Sequence, residues 1–288
     1  MKPQQLKISL KPWQSFSVRH DTVPVFYNQW HYHKELELVY IIEGAGSLFM
    51  GHEIRNFIAG DLILIGSNQA HMWGSGKKQP TNKKCNAYVI HFLPECFGPG
   101  FFELPENKHT LNLLNKARKG IKIGSNIKDA VVARMQQLLV AEGTQRIILL
   151  LQVVNLIASS NENQLICVEN YNFNITMEDS NRLNDIYQFV MNNFSRPVEL
   201  KEIAAVVNFT PNSFCRYFKT HTRKSFSAFL IEVRISHACK LLVETKKPVA
   251  EICYECGYNS FSNFNKHFLR ITQKTPSAHR NYYWQHEN

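Results

Sequence analysis

Two histidines and a glutamate stand close together near the start of this chain: His31, His33 and Glu37, with Gly44 following and a further histidine, His71, after Gly60-Asp61. Imidazole nitrogen and carboxylate oxygen are ligand atoms that zinc and its first-row neighbours take from proteins, and the same groups also line polar pockets. Alternate residues of an extended strand share a face, so His31, His33, Glu37, Val39 and Ile41 point one way and Leu36, Leu38, Tyr40 and Ile42 the other. His71, just past a strand over Leu62 to Ile65, completes the set. Trp73, Trp30 and Tyr40 are candidate walls of such a pocket. Strand histidines satisfied within the sheet are the plainer alternative.

A second chemistry lies near the other end. Asn212, Cys215, Arg216 and Lys219, and fifty residues later Ser262, Asn263, Asn265 and Lys266, share a polar helix face. Arg and Lys pair with guanine edges and Asn with adenine, so this inventory suits base reading in a major groove.

The elements that must position these groups are legible in outline. Leu200, Ile203, Ala204 and Val207 recur at helical spacing, Asn208-Phe209-Thr210 breaks the pattern, and Phe214, Tyr217 and Phe218 anchor a second helix. Thr210 is its expected N-cap and Pro211 its first residue. Val249, Ile252, Cys253 and Cys256, a turn at Gly257-Tyr258-Asn259, a cap near Ser260, and Phe261, Phe264 and Phe268 repeat the unit. Two ordinary amphipathic hairpins are the bland reading, but duplication favours tandem helix-turn-helix units. Reading helices in successive groove segments sit about 34 Å apart. A rigid connection then requires either a bent site or a second unit that mostly grips phosphates.

Charge agrees. Residues 181–288 carry 15 Lys and Arg against 8 Asp and Glu, +7 of the chain's +10. Arg196, Arg223, Lys224, Lys246, Lys247, Lys274 and Arg280 flank the two units, where phosphate contacts fix register without reading sequence.

Between these regions Ile127, Val131, Met135, Leu138 and Leu139 form a helical stripe, and Ile147 to Ile157 is apolar nearly all round. That run is too short to span a membrane. It reads either as the core of a helical hairpin packed on the barrel or as a dimer interface. Polar stretches follow at Ser159 to Asn163 and Asn172 to Asn184. Seven cysteines, an odd number, fit free thiols in a reducing cytoplasm. Cys253 and Cys256 form a lone C-x2-C without a second ligand pair, which suits core packing better than zinc. No signal peptide is evident, and the expectation is a cytoplasmic protein with no membrane partner.

The stretch from about Arg182 to Tyr283 resembles the DNA-binding domain of AraC/XylS-type transcription regulators, in which two helix-turn-helix units are joined by a long linker helix, here Phe226 to Glu244. Phe264, Phe268, Thr275-Pro276 and Arg280 look like that family's closing pattern. Arg223 and Gln273 stand where the family usually has Gly, and His279 where it has an aromatic residue. If those Gly positions need positive φ, the turns here differ slightly from the family's. The resemblance places base contacts on Asn212, Cys215 and Arg216 and on Ser262, Asn263 and Lys266. Lys219, Arg223, Lys224, Lys274 and Arg280 are the phosphate candidates.

The N-terminal pattern resembles the cupin barrel, whose motifs hold a metal through two His, a Glu and a third His. It also resembles the sensory domain of AraC-type regulators, where the barrel binds an effector, often a sugar, and frequently no metal. Val25 replaces the glycine expected six residues before the first His, and Gly66-Ser67-Asn68 the proline-containing turn before the last.

The reading is an α+β chain of two domains. Residues 1–110 form a cupin-like effector barrel, 111–171 a helical hairpin for dimerisation, 172–181 a linker, and 182–288 the double helix-turn-helix domain. The expected function is a sequence-specific transcription regulator and not an enzyme, answering a small-molecule effector such as a sugar. The effector pocket comprises His31, His33, Glu37, His71 and Trp73. Partners are double-stranded DNA, the effector, RNA polymerase and a second copy of the chain. No cofactor is required, although a divalent metal on His31, His33, Glu37 and His71 is one reading. A metal-dependent cupin enzyme fused to a DNA-binding tail is the alternative. Effector, operator, target genes and the choice between activation and repression are not encoded legibly.

Overall fold

The computed structural model of the protein describes residues 4–26, 29–51, 53–74, 84–167 and 177–286. Its first half is built from two sheets. One is five-stranded, in the order β1 (Gln4–Gln5), β3 (His31–Tyr32), β8 (His71–Gly74), β5 (Gly46–Met50), β6 (Glu53–Phe57). The other is six-stranded, in the order β11 (Gln164–Leu165), β10 (Ile121–Lys122), β7 (Leu62–Ile65), β4 (Leu36–Glu43), β9 (Cys85–Phe92), β2 (Phe16–Val23).

The alternation expected along β4 holds. Val39 and Ile41 join Leu48, Met50, Ile63, Ile65, Ala87 and Val89 in the barrel core. Leu36 and Leu38 turn outward, with Leu62, Leu64, Ile90 and Phe92, to a second cluster under the helices. Those helices are α1 (Lys108–Lys116), α2 (Ser125–Val140) and α3 (Thr144–Ser159). Val131, Met135, Leu138, Leu150, Val153 and Ile157 are buried there, so the apolar run in α3 spends most of its surface on the barrel's own sheet. Ile147 and Ile148 stay exposed. Because β10 and β11 lie between and after these helices, the helical segment is woven into the barrel's second sheet.

The C-terminal half is helical: α4 (Met177–Asn193), α5 (Leu200–Val206), α6 (Pro211–Thr222), α7 (Phe226–Glu244), α8 (Val249–Glu255), α9 (Phe261–Thr272) and α10 (Pro276–His286). α7 has the bounds expected of the linker helix. α4 begins at Met177, inside the stretch read as a linker, so residues 177–181 are helical; residues 168–176 lie outside the described ones.

The caps explain the boundaries. Thr210 and Ser260 each accept a hydrogen bond from the backbone N–H three residues on, Ser213 and Asn263. Arg223 at φ 54 and Gln273 at φ 57 end the two helices in the left-handed conformation. Both turns thus take positive φ without a glycine, at a cost in backbone strain.

The two halves are not separated by a gap. Trp30, Phe49 and Met72, on the outer side of the first sheet, share one buried cluster with Leu183, Ile186, Tyr187 and Val190 of α4 and Phe229, Leu230 and Val233 of α7. Ser236 of α7 hydrogen-bonds to Ser47 and to Asn56 of the same sheet. Trp30 N–H donates to Asn184 Oδ1 at 3.4 Å.

Candidate functional site

Inside the barrel the histidines do converge, by a route the sequence pattern did not show. His31 to Ile42 is not one strand: β3 ends at Tyr32, β4 starts at Leu36, and the chain crosses from one sheet to the other between them. Strand register then does the assembly. His31 lies opposite His71 in the first sheet, and Glu37 opposite His91 in the second. Ligand atoms of His31, His33, Glu37 and His71 all lie within 4.8 Å of one another, and all four residues are buried.

Glu37 sits at the centre. His33 Nε2 is 2.9 Å from its Oε2, His91 Nε2 is 2.9 Å from the same oxygen, and Trp73 Nε1–H donates to Oε1 at 3.1 Å. Burial works against the Glu37 charge, yet the proximity of His71 and the hydrogen bonds around the carboxyl outweigh that and hold it well below its ordinary range. Burial and then His71 push His31 down to about 3, leaving it neutral. Burial alone would lower His33 as well; its bond to Glu37 raises it instead. His91 stays lowered because it is buried and faces the charges of His33 and Arg19.

Tautomers follow from the partners. Nδ1–H of His31 donates to Gln29 O at 2.9 Å, that of His33 to Glu35 O at 2.9 Å, and that of His71 to Gln69 O at 2.8 Å. With Nδ1–H so engaged, His31 and His71 aim Nε2 inward, the arrangement metal-ligating histidines show, whereas His33 donates its Nε2–H to Glu37 Oε2. His71 Nε2 is buried with no hydrogen-bond partner, lying 3.4 Å from Glu37 Oε2 outside bonding geometry. His91 differs: Arg19 donates toward its Nδ1 at 3.4 Å, so its Nε2–H can donate to Glu37. It orients the carboxylate and does not belong to the four donors. Three imidazoles and one carboxylate fit a divalent first-row ion, with His33 giving up its Nε2 proton to become a ligand.

A cavity of about 270 Å³ opens beside this cluster, lined by Leu6, Arg19, Asp21, Phe26, His31, Glu37, Trp73 and His91 among others. Trp73 is thus a wall, as expected. Trp30 and Tyr40 are not: Trp30 faces the opposite way, against Tyr187 at 5.2 Å between ring centroids, and Tyr40 packs outward beneath the helices. His91 went unnoticed in the sequence because no motif carries it.

At the other end, Phe214 and Phe218 of α6 and Phe264 and Phe268 of α9 are fully buried, and the opposite sides are free. Asn212, Cys215, Arg216 and Lys219 are exposed on α6, and Ser262, Asn263 and Lys266 on α9; Asn265 is half-buried. Both faces point into solvent rather than into the monomer. Among the phosphate candidates, Lys219 and Arg223 are exposed, Lys224 pairs with Glu232 at 2.8 Å, and Lys274 Nζ lies 3.4 Å from the centre of the Tyr282 ring. Arg280 requires correction. Its guanidinium turns inward to Leu242 O at 3.3 Å and Lys247 O at 2.6 Å, tying α10 to α7 and the loop after it. Arg234 makes the matching tie in the first unit, to Phe194 O and Arg196 O, both at 2.8 Å.

Residues 15–97 match the AraC-like ligand binding domain family and residues 203–282 the helix-turn-helix domain family. The chain belongs to the AraC-type transcription regulators. It is similar along most of its length to the HTH-type transcriptional regulator YdeC of Bacillus subtilis, 21% identical over 264 residues, covering 87% of this chain and 85% of that one. The HTH-type transcriptional activator RhaR of Mannheimia succiniciproducens is 22% identical over 258 residues, 87% and 86% of the two chains. Among solved structures, a single-residue variant of ToxT from Vibrio cholerae, in its apo form, aligns over 93% of this chain and 97% of its own, at 12% identity and a TM-score of 0.37. The regulator thus pairs a ligand-binding barrel with a DNA-binding domain. No helix among its described residues is long and apolar enough to cross a membrane.

Proposed function

We propose that this AraC-type regulator senses a small polar effector, a sugar being the class that suits it, in the barrel cavity and passes the signal to α4 and α7. What supports the reading is the two-sided first sheet: His31 and Trp73 face the cavity, His71 faces the donor cluster beside it, and their neighbours Trp30 and Met72 face the DNA-binding half. An aromatic wall beside clustered polar groups is how proteins hold small hydroxylated ligands, and about 270 Å³ lies just under the common pocket range of roughly 300–1,000 Å³. The effector is therefore small. Occupancy shifts the population of docked and undocked arrangements and so alters DNA affinity or site choice.

Asn212, Cys215, Arg216, Ser262, Asn263 and Lys266 read bases, and Lys219 and Arg223 hold phosphates. The regulator works in the cytoplasm as a homodimer, for which the exposed Ile147 and Ile148 of α3 offer an apolar contact, and it recruits RNA polymerase. Genomic fragments captured by the purified protein identify the operator; compounds handled by the adjacent genes are then titrated against it. If none alters affinity, site choice or transcription, the sensing role is lost.

A divalent metal is the second reading, favoured by the buried, unbonded His71 Nε2 and the three Nδ1–H locks. His31, His33, Glu37 and His71 would hold it, and it would supply a Lewis-acid anchor for effector oxygens. Elemental analysis, with an assay for turnover, separates this from a metal-free sensor and from a cupin enzyme.

A further inference from the structure

α6 and α9 are copies in register at an offset of fifty: caps Thr210 and Ser260, buried Phe214/Phe218 and Phe264/Phe268, C-caps Arg223 and Gln273. At three exposed positions the copies part. The second unit carries Phe261, Leu269 and Ile271 where the first has Pro211, Lys219 and His221. In the preceding helix, α8, Tyr254 is exposed where Ala205 stands in the first unit, at an offset of forty-nine. Single exposed apolar residues need no explanation, and the first unit exposes Leu200 and Val206 on α5, but between the recognition helices the difference is one-sided: three large apolar side chains are exposed on α9 and none on α6.

Phe261 is the best placed of them. It is the first residue after the Ser260 cap, 41% exposed, at the helix end whose residues meet base edges when a recognition helix enters the major groove. Its ring is stacked at 6.2 Å and 30° on Phe264, which is fully buried, so it is held rather than loose. Asn259, Ser262 and Asn263 around it are exposed and polar. An apolar group among hydrogen-bonding ones has one partner in the major groove: the C5-methyl of thymine.

We propose that Phe261 reads a thymine methyl in the half-site under α9. The second unit then selects its DNA partly by apolar contact, where the first unit, with Pro211 at that position, does not. This assignment rests on α9 entering the groove as proposed above.

The test uses the full chain and a site obtained by selection from random duplex DNA. Each thymine of the second half-site is replaced in turn by deoxyuridine, which removes only the methyl. Wild type is expected to lose roughly fourfold in affinity at one or two positions, what one buried methyl is worth. Phe261→Ala should bind the thymine site about as weakly as wild type binds the uracil site, with no further loss on replacement. Lys266→Ala should bind more weakly throughout and keep the methyl dependence. A selected half-site without thymine, or equal methyl dependence in wild type and Phe261→Ala, overturns the assignment alone. If Lys266→Ala and Asn263→Ala leave affinity and footprint untouched, α9 is not in the groove and the underlying reading falls too.

Discussion

Met72 and Trp73 follow one another in β8 and face opposite sides of their sheet. Trp73 bonds Glu37 inside the barrel, and Met72, fully buried, receives Gln188 of α4 at 4.0 Å and packs in the cluster shared with α7. Two adjacent side chains therefore sit in the barrel's polar cluster and in the interdomain contact, and displacement of one strand is felt by both. Emptying the outer side should loosen the helices: Met72→Ala is expected to cost about 2–5 kcal/mol. Hydrogen exchange in α4 and α7 should speed up while the barrel core stays protected. Unchanged exchange in α4 would mean that this sheet does not hold it.

The division of labour around Glu37 makes a second prediction. His71 aims an unbonded Nε2 into the cluster, and His91 only orients the carboxylate. Under the metal reading, Co2+ or Ni2+ titrated into the protein binds at one equivalent with the absorption of an N/O site. His71→Ala abolishes that signal, whereas His91→Phe weakens binding about 10–100-fold, the effect typical of an outer-shell partner. Equal losses from both substitutions would make His91 a ligand and redraw the site.

What was readable in the sequence was local. Helix caps at Thr210 and Ser260 and the aromatic anchors of α6 and α9 depend on contacts a few residues apart, and they stand where spacing put them. His91 depends on the register of β4 against β9, set by residues some fifty positions distant, and no local pattern announces it. Trp30, Tyr40 and Arg280 were misplaced for the same reason. Each has the right chemistry for a pocket or a phosphate, but tertiary packing decides which side of the sheet, or which carbonyls, it meets.

Arg223 and Gln273 hold φ of 54° and 57°, a region costly for side chains with a Cβ. Arg223→Gly and Gln273→Gly should each stabilise the DNA-binding half by up to about 1 kcal/mol. Thermal unfolding checks this, with a rise of a few degrees expected. A fall in both variants would show that side-chain contacts at these caps outweigh the strain. If Arg223 holds a phosphate as proposed, Arg223→Gly should in addition weaken DNA binding, which Gln273→Gly should not.

Two histidines outside the barrel set an acid limit. Burial and then Lys240 push His237 down to about 4; burial and then Lys274 do the same to His279, which packs on Phe268 at 5.5 Å. Both are neutral when folded and take a proton more readily when unfolded, near 6.5. Their contribution is complete above about 6.5 and is lost as pH falls through 4. His279→Phe, which restores the family's aromatic residue, should flatten the fall in melting temperature between those limits. A pH profile identical to wild type would remove His279 from this account.

Arg216 and Lys219 lie one turn apart on the exposed side of α6 and should fail differently when truncated. An arginine that pairs with guanine contributes about 1–3 kcal/mol of discrimination, so Arg216→Ala should relax preference at one base pair of the first half-site. A lysine on phosphate carries no sequence information; Lys219→Ala should weaken all sites alike and reduce the slope of log affinity against log salt by about 1. Affinities measured at several salt concentrations on the selected site and on single-base variants separate the two effects. If Arg216→Ala weakened every variant equally and lowered the salt slope, Arg216 would be holding the backbone, and base reading in this unit would fall to Asn212 and Cys215.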